Sequence, residues 1–220
     1  MGNREDLIAG AKRCLLDKGY ARTTARDIAT AAGTSLAAIG YHFGSTQALL
    51  NTAVFEAMRE WGAELEQAMA DAGPDNRDKG SPDKGNRDKG SPDKDSPDTG
   101  HETGSLEQFE RYWARVIDSF STHRQLWMAT FDVFAQMDRV PEMRGALSDG
   151  IERARFAWAE LLQGLDPEAD KEAAWRVGSL YQALISGVLV QWLIDPNRAP
   201  SSRDLAAALK TIAAGVIRAG

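Results

Sequence analysis

The chain has 220 residues, 43% of them apolar and 26% charged, so it can bury a sizeable core in one large or two small domains. Its 26 Lys/Arg against 32 Asp/Glu give a net charge of -6, which excludes a uniformly basic nucleic-acid coat but not a local patch. The single cysteine, Cys14, excludes a disulfide framework, and the three scattered histidines (His42, His101, His123) mark no metal centre, so neither metal nor cofactor is expected.

The N-terminus carries charge within its first six residues, at Arg4, Glu5 and Asp6, and no apolar signal region follows, which points to a cytoplasmic, reducing compartment. Residues 1–50 hold six Lys/Arg and four Asp/Glu and are the only net-positive stretch, the right sign for meeting phosphates. Leu7, Ile8, Ala11, Cys14 and Leu15 recur at helical spacing, and Gly19 closes that helix. Thr24 caps a short helix from Ala25 to Ala32, with Asp27 placed as in a capping box and Gly33 after it. Ser35 caps a second short helix, Leu36 to Phe43, and Ser45 opens a long one toward Asp71.

Residues 73–104 read as a disordered insertion. NRDKGSPDKG at 76–85 is followed by NRDKGSPDKD at 86–95, a tandem repeat with no aliphatic or aromatic residue to offset its ordering entropy. Beyond it the periodicity predicts helices over roughly 105–121, 124–138, 142–163, 168–194 and 202–218, broken at Pro141, Asp166-Pro167 and Asp195-Pro196. No strand is expected; the chain reads as all-α.

Residues 24–43 have helix-turn-helix spacing. Ile28, Ala29, Ala32, Ile39 and Phe43 face inward, and Gly33 supplies the positive φ that the turn requires. The second helix then offers Thr34, Ser35, Leu36, Ala37, Ala38, Tyr41 and His42 to a partner, with free N–H groups at its N-terminus. Small residues at 37 and 38 allow close approach to a major groove and apolar contact with a thymine methyl.

The stretch from Leu7 to Leu50 resembles the N-terminal domain of the tetracycline-repressor (TetR) family of transcriptional regulators. The match rests on Ala11, Gly19-Tyr20, Thr23-Thr24, Ile28-Ala29, Ala32-Gly33, Ser35, Tyr41-His42-Phe43, Ser45 and Ala48-Leu49-Leu50. The resemblance implies a DNA-binding domain over 1–50 and a helical ligand-binding and dimerising domain over 51–220. It implies that Thr24, with Arg26 nearby, meets phosphate, that Thr34, Ser35, Leu36, Ala37 and Ala38 face bases, and that Tyr41 and His42 contact backbone or thymine methyls. The family commonly has Tyr where this chain has Gly40 and Lys where it has Thr46. With Leu36 in place of a polar base reader, direct readout is thin, so modest affinity with a shallow salt dependence is expected.

In the C-terminal half, Ser179, Ala183 and Gly187 form a small-residue stripe, and Leu205, Leu209, Ile212 and Val216 an apolar one. Two such helices per protomer would build a four-helix homodimer interface. An effector pocket is expected from Trp113, Trp127, Met128, Phe131, Phe134, Trp158, Trp175 and Tyr181, with Asp132, Arg155 and Gln182 as polar groups; a hydrophobic effector is preferred. Val177 to Ile194 is eighteen residues without a charge, but Ser179, Gln182, Ser186 and Gln191 interrupt it and no basic cluster flanks it. No membrane partner is expected; a helix apolar on all sides has two surfaces to cover.

The function read from the sequence is therefore a ligand-responsive regulator, a repressor, binding a pseudo-palindromic operator as a dimer. The alternative is a helical ligand- or partner-binding protein whose reading head has weakened. An enzyme is the remaining class, and no phosphate loop, G-x-S-x-G or H-E-x-x-H motif supports it.

Overall fold

A computed structural model describes residues 4–71, 100–137 and 141–219. The helices are α1 (Arg4–Lys18), α2 (Ala25–Ala31), α3 (Leu36–Phe43), α4 (Thr46–Asp71), α5 (Gly100–Thr122), α6 (Arg124–Phe134), α7 (Pro141–Gln163), α8 (Lys171–Ile194) and α9 (Ser202–Ala219), with a 3-10 turn at Tyr20–Arg22. No strand occurs among the described residues, so the fold is all-α. The tandem repeat at 76–95 lies outside them, while α5 already begins at Gly100, inside the expected insertion.

The N-terminal helices close on one small core. Leu7, Ala11, Cys14 and Leu15 of α1 meet Ile28 and Ala29 of α2, Ile39 of α3 and Leu49, Ala53 and Val54 of α4. Local signals set the boundaries. The Thr24 side chain and the Asp27 carboxylate cap α2 reciprocally. At the other end Gly33 stands at φ 62°, with Gly33 N–H donating to Thr30 O (3.2 Å) and Thr34 N–H to Ala29 O (2.9 Å). That pairing satisfies the last carbonyls of α2 and redirects the chain into α3. Ser35 occupies the cap position of α3 without a side-chain cap bond, whereas Ser45 accepts the Ala48 N–H at 3.0 Å and starts α4.

Helix α4 belongs to both halves. Its first turns pack on α1 and α3, and its later residues Trp61, Leu65 and Met69 are buried with Trp113, Val116 and Phe120 of α5 and Leu126 and Trp127 of α6 in one continuous core. Helix α7 lies along α8, and α9 along α5. The α7–α8 approach is very close at Gly178, where a methyl group would collide with the Arg155 backbone. Helix α8, long and apolar enough for a bilayer, spends one face on this packing, with Ala174, Gly178, Tyr181, Ile185, Val188 and Leu189 buried.

Several helix ends differ from the sequence expectation. Helix α6 stops at Phe134 rather than near 138, and α8 starts at Lys171, three residues later than expected, because Asp170 accepts the Ala173 N–H. The 3-10 turn at Tyr20–Arg22 was not foreseen.

Candidate nucleic-acid interface

Helix α3 exposes Ser35, Leu36, Ala37 and Tyr41, the last 82% exposed, while Thr34, Ala38 and His42 are half-buried. The Tyr41 and His42 rings meet edge to face at 4.9 Å. Ile39 faces inward and anchors the helix, so one side is fixed and the other is presented. Ala38 packs partly against the core, which leaves Ala37 the more accessible of the two small residues. Arg26 is exposed on the first turn of α2. Arg4 lies over the Phe43 ring at 5.0 Å and steadies the end of α3.

Thr24 is exposed at the start of α2, but its hydroxyl is engaged. It donates to Asp27 Oδ2 at 2.6 Å and accepts the Asp27 N–H at 3.2 Å. Asp27 also accepts from Lys18 at 2.5 Å. The Lys18 ammonium, then the Thr24 hydroxyl and N–H, hold the Asp27 carboxyl far below the usual carboxylate range. For Thr24 to donate to a phosphate, the hydroxyl must turn away from Asp27.

The head meets the rest of the chain at Tyr20. Its hydroxyl donates to Asn51 Oδ1 on α4 (2.6 Å) and lies 3.4 Å from Gln136 Oε1, just past α6. Gln136 in turn donates to the Asp132 carbonyl at 2.7 Å. An open groove of about 340 Å³ runs here between Tyr20, Ala21, Thr46, Gln47, Leu50 and Gln136. Tyr20 and Asn51 were not singled out as functional residues from the sequence. A buried Asn beside Leu49 and Leu50 is itself a signal that a hydrogen-bond partner waits across the core.

The interior beyond the head is a run of stacked aromatics. Trp61 touches Trp127 (4.6 Å between ring centres) and Trp158 (5.9 Å), Phe120 touches Trp127 (5.7 Å) and Trp192 (6.1 Å), and Phe109 touches Trp113 (6.0 Å) and Tyr181 (6.3 Å). Trp158 donates to Gln182 Oε1 at 2.9 Å, and Gln163 to the Tyr181 hydroxyl at 2.6 Å. Trp113, Trp127, Trp158 and Tyr181 are buried there; Phe131, Phe134, Asp132, Arg155 and Gln182 are half-buried. Burial pushes the Asp132 carboxyl above its ordinary value. Met128 and Trp175, expected as pocket residues, are exposed, because each sits on the outer side of its helix; Trp175 instead carries the Arg155 guanidinium at 5.4 Å. Trp61 of α4, absent from the expected pocket, stands at the centre of the cluster.

Two sequence-family comparisons bear on this arrangement. The family described as bacterial regulatory proteins, tetR family, matches residues 7–53. The tetracyclin repressor-like C-terminal domain matches residues 104–219, more than half of the chain. This chain belongs to the TetR family. The HTH-type transcriptional regulator BetI of Stenotrophomonas maltophilia (strain R551-3) is 36% identical over 76 residues, which are 34% of this chain and 39% of that relative's length. Among solved structures, a Pseudomonas aeruginosa PAO1 chain described as a transcriptional regulator is 15% identical, with 97% of this chain and 89% of the other covered at a TM-score of 0.59. The multidrug binding protein EbrR, solved with imidazole, is 18% identical, with 94% and 88% covered at a TM-score of 0.54. Both show the fold.

Within the TetR frame, Gly40 is exposed and a methyl group on it would meet nothing within 4 Å, so packing does not dictate glycine there. Thr46 lines the groove beside Tyr20. The outer faces of α8 and α9 are uncovered in the protomer. Leu180, Ala183, Gly187, Val190 and Ile194 are exposed at spacings of three and four residues, as are Leu209, Ile212 and Val216 on α9. Ser179 is half-buried and Leu205 packs partly on the core. Leu180, Val190 and Ile194 are not among the interface residues expected from the sequence, which on α8 are the small ones.

Proposed function

We propose that this TetR-family chain is a cytoplasmic transcriptional repressor that reads a pseudo-palindromic operator as a homodimer and is released by a small hydrophobic effector. The observation that carries the reading is α4, a single helix whose start is packed against the reading helix and whose middle holds Trp61 among the buried aromatics. An effector that separates those rings shifts α4, and α4 moves α3. For a 100-fold loss of operator affinity, the effector must favour the released state by about 2.7 kcal/mol.

In this reading Thr34, Ser35, Leu36, Ala37 and Ala38 meet bases, Thr24 and Arg26 meet phosphate, and Tyr41 and His42 contact backbone or thymine methyls. The exposed seams of α8 and α9 form the four-helix dimer interface, through Ala183, Gly187, Leu205, Leu209, Ile212 and Val216 with Ser179 beside them. Trp113, Trp127, Phe131, Asp132, Phe134, Arg155, Trp158, Tyr181 and Gln182 surround the effector, with Trp61 added. The EbrR fold neighbour, a multidrug binding protein, supports a small-molecule role for this interior. No catalytic step is assigned to the chain.

Selection of bound fragments from a genomic DNA pool by the purified full chain tests the reading. Recovery of an inverted repeat is expected. Absence of any binding from folded protein would favour the second reading, a partner-binding protein with a weakened head, which exposed Leu36 and the missing side chain at Gly40 also favour.

A further inference from the structure

The aromatic interior carries an imbalance of hydrogen-bonding groups that bears on what enters it. Among the described residues, five buried side-chain polar atoms have no hydrogen-bond partner: Nε1 of Trp61, Trp113 and Trp127, Nε of Arg155, and Oγ of Ser179. Four are N–H donors that cannot accept, and the fifth is a hydroxyl that can do either. The three tryptophans are 5%, 1% and 3% exposed, so bulk water does not serve them. Buried donors are nearly always paired in native proteins, and an unpaired one calls for an acceptor that the protomer itself does not supply.

Two of them, on Trp61 and Trp127, stand together in the cluster described above, and Trp113 lies beside Phe109. Trp61 and Trp127 meet edge to face, at 81° between rings. One indole N–H of such a pair can aim at the other's π face, but not both. Trp113 lies seven residues before Phe120 on α5, about 10 Å along the same face. Arg155 stands one turn before Trp158 on α7. Trp158, by contrast, already has its acceptor in Gln182. The acidic group expected of the effector pocket is Asp132, on α6 one turn from Met128, and none of the orphaned donors is bonded to it.

We infer that the effector of this chain is an apolar molecule bearing a hydrogen-bond acceptor, a carbonyl, ester or carboxylate, received by an orphaned indole N–H of Trp61 or Trp127 or, farther along the interior, of Trp113. The inference rests on the effector-binding reading and narrows it to a chemical class. The aromatic walls accept a flat or branched apolar body, and the donors favour a ligand with the acceptor over its isostere, because only the former pairs N–H groups that are unpaired in the free chain.

The test uses the full chain labelled with 15N in its indoles and four probes with one ring system. These are 2-acetylnaphthalene, 2-naphthoate, 2-isopropenylnaphthalene (the carbonyl replaced by a methylene) and 2-naphthylmethylamine. The ketone or the carboxylate is expected to bind at least tenfold more tightly than the isopropenyl isostere, and to move the Nε1–H signals of Trp61, Trp113 or Trp127 downfield. A preference for the carboxylate over the ketone brings Arg155 into the recognition; the reverse leaves it to the indoles. Trp127→Phe keeps an aromatic wall and removes one donor, and should shrink the ketone's advantage over its isostere. The probe series on the unaltered chain stands even if that variant fails to fold.

Equal binding of ketone and isostere would overturn the inference, as would tightest binding of the amine, which would hand recognition to Asp132. Cross-peaks from all three Nε1–H groups to bound water in the ligand-free chain would overturn it too, because the donors would then already be satisfied. If none of the probes binds while the chain still selects an operator, the acceptor site fails and the DNA-reading proposal stands.

Discussion

The α7–α8 seam makes a quantitative prediction from a single methyl group. A Cβ added at Gly178 would sit 2.5 Å from the Arg155 carbonyl carbon and 3.0 Å from its Cα, and closer still to its oxygen, where ordinary contact begins at 3.4 Å. The obstacle is backbone on a helix, not the end of a flexible side chain. The two helices must therefore part by about 1 Å, a gap that forfeits a quarter to a half of each dispersion contact across it. Buried Trp158, Ala159 and Leu162 face that seam with Ala174, Tyr181 and Ile185, and the Trp158–Gln182 and Gln163–Tyr181 hydrogen bonds cross it. Gly178→Ala should cost about 3 kcal/mol, the upper end of the usual range for overpacking. In a protein of this size that lowers the melting temperature by about 6–12 °C. Gly40→Ala is the matched control: the same methyl meets open space in the middle of α3, so helix propensity alone should raise stability by about 0.5–1 kcal/mol. Urea titrations followed by far-UV circular dichroism measure both. A Gly178→Ala variant within 0.5 kcal/mol of the parent chain would refute the close approach of α7 and α8.

Other outcomes follow from the same geometry. Ile212, 63% exposed, should be covered only by a second copy, so Ile212→Asp should leave the protomer folded and raise the dimer dissociation constant at least 100-fold, with about 2 kcal/mol lost at each of two copies; sedimentation velocity reads this, and an unchanged dimer would remove α9 from the interface. Tyr20→Phe deletes the hydroxyl shared between Asn51 and Gln136, and should cost about 1 kcal/mol. It should also reduce the effector-induced change in operator affinity, measured by fluorescence anisotropy; an unaltered ratio would mean the signal bypasses Tyr20. The folded-state titration of Asp27 lies below its unfolded value of about 3.9, so its stabilisation of α2 is complete above that pH, erodes below it and is gone once pH falls through the folded value. Thermal melts of Asp27→Asn across the acid range should lack that limb; a variant as acid-sensitive as the parent would rule Asp27 out. Operator affinity should fall with salt at a log–log slope shallower than about -6, since Thr46 offers no cation; a steeper slope would mean more phosphate contacts than α2, α3 and α4 supply.

The head was legible because its signals are local. Thr24 with Asp27, Gly33, and Ser45 each fix a helix end within four residues of themselves, and α3 runs from Leu36 to Phe43 as the spacing dictated. The capping pair that revealed α2 also occupies the Thr24 hydroxyl, and that conflict between cap and phosphate contact is visible only once Asp27 and Lys18 are placed. The interior was less legible, because contacts between distant helices leave no periodic trace. Trp61 repeats at helical spacing with Val54, Leu65 and Met69 and looks like any other core position on α4. Met128 and Trp175 are large and apolar yet exposed, so residue type alone assigned them to the wrong side of their helices. On α8, all-round apolarity concealed which face was spent on α7. Only the burial of Gly178, Tyr181 and Ile185 separates it from the face carrying Leu180, Gly187 and Ile194.

The lone thiol at the base of the reading head has a practical consequence. Cys14 is buried between α1 and its neighbours, and burial pushes its pKa upward, so it resists thiol reagents while the head is closed. Because the sequence holds no other cysteine, its labelling rate in the unaltered chain clocks opening of the DNA-binding helices alone. The large domain contributes no background. Operator should slow that clock by stabilising the closed head, and a releasing ligand should quicken it in the presence of DNA. The protein thus carries its own reporter of whether a compound acts on the head or merely binds elsewhere.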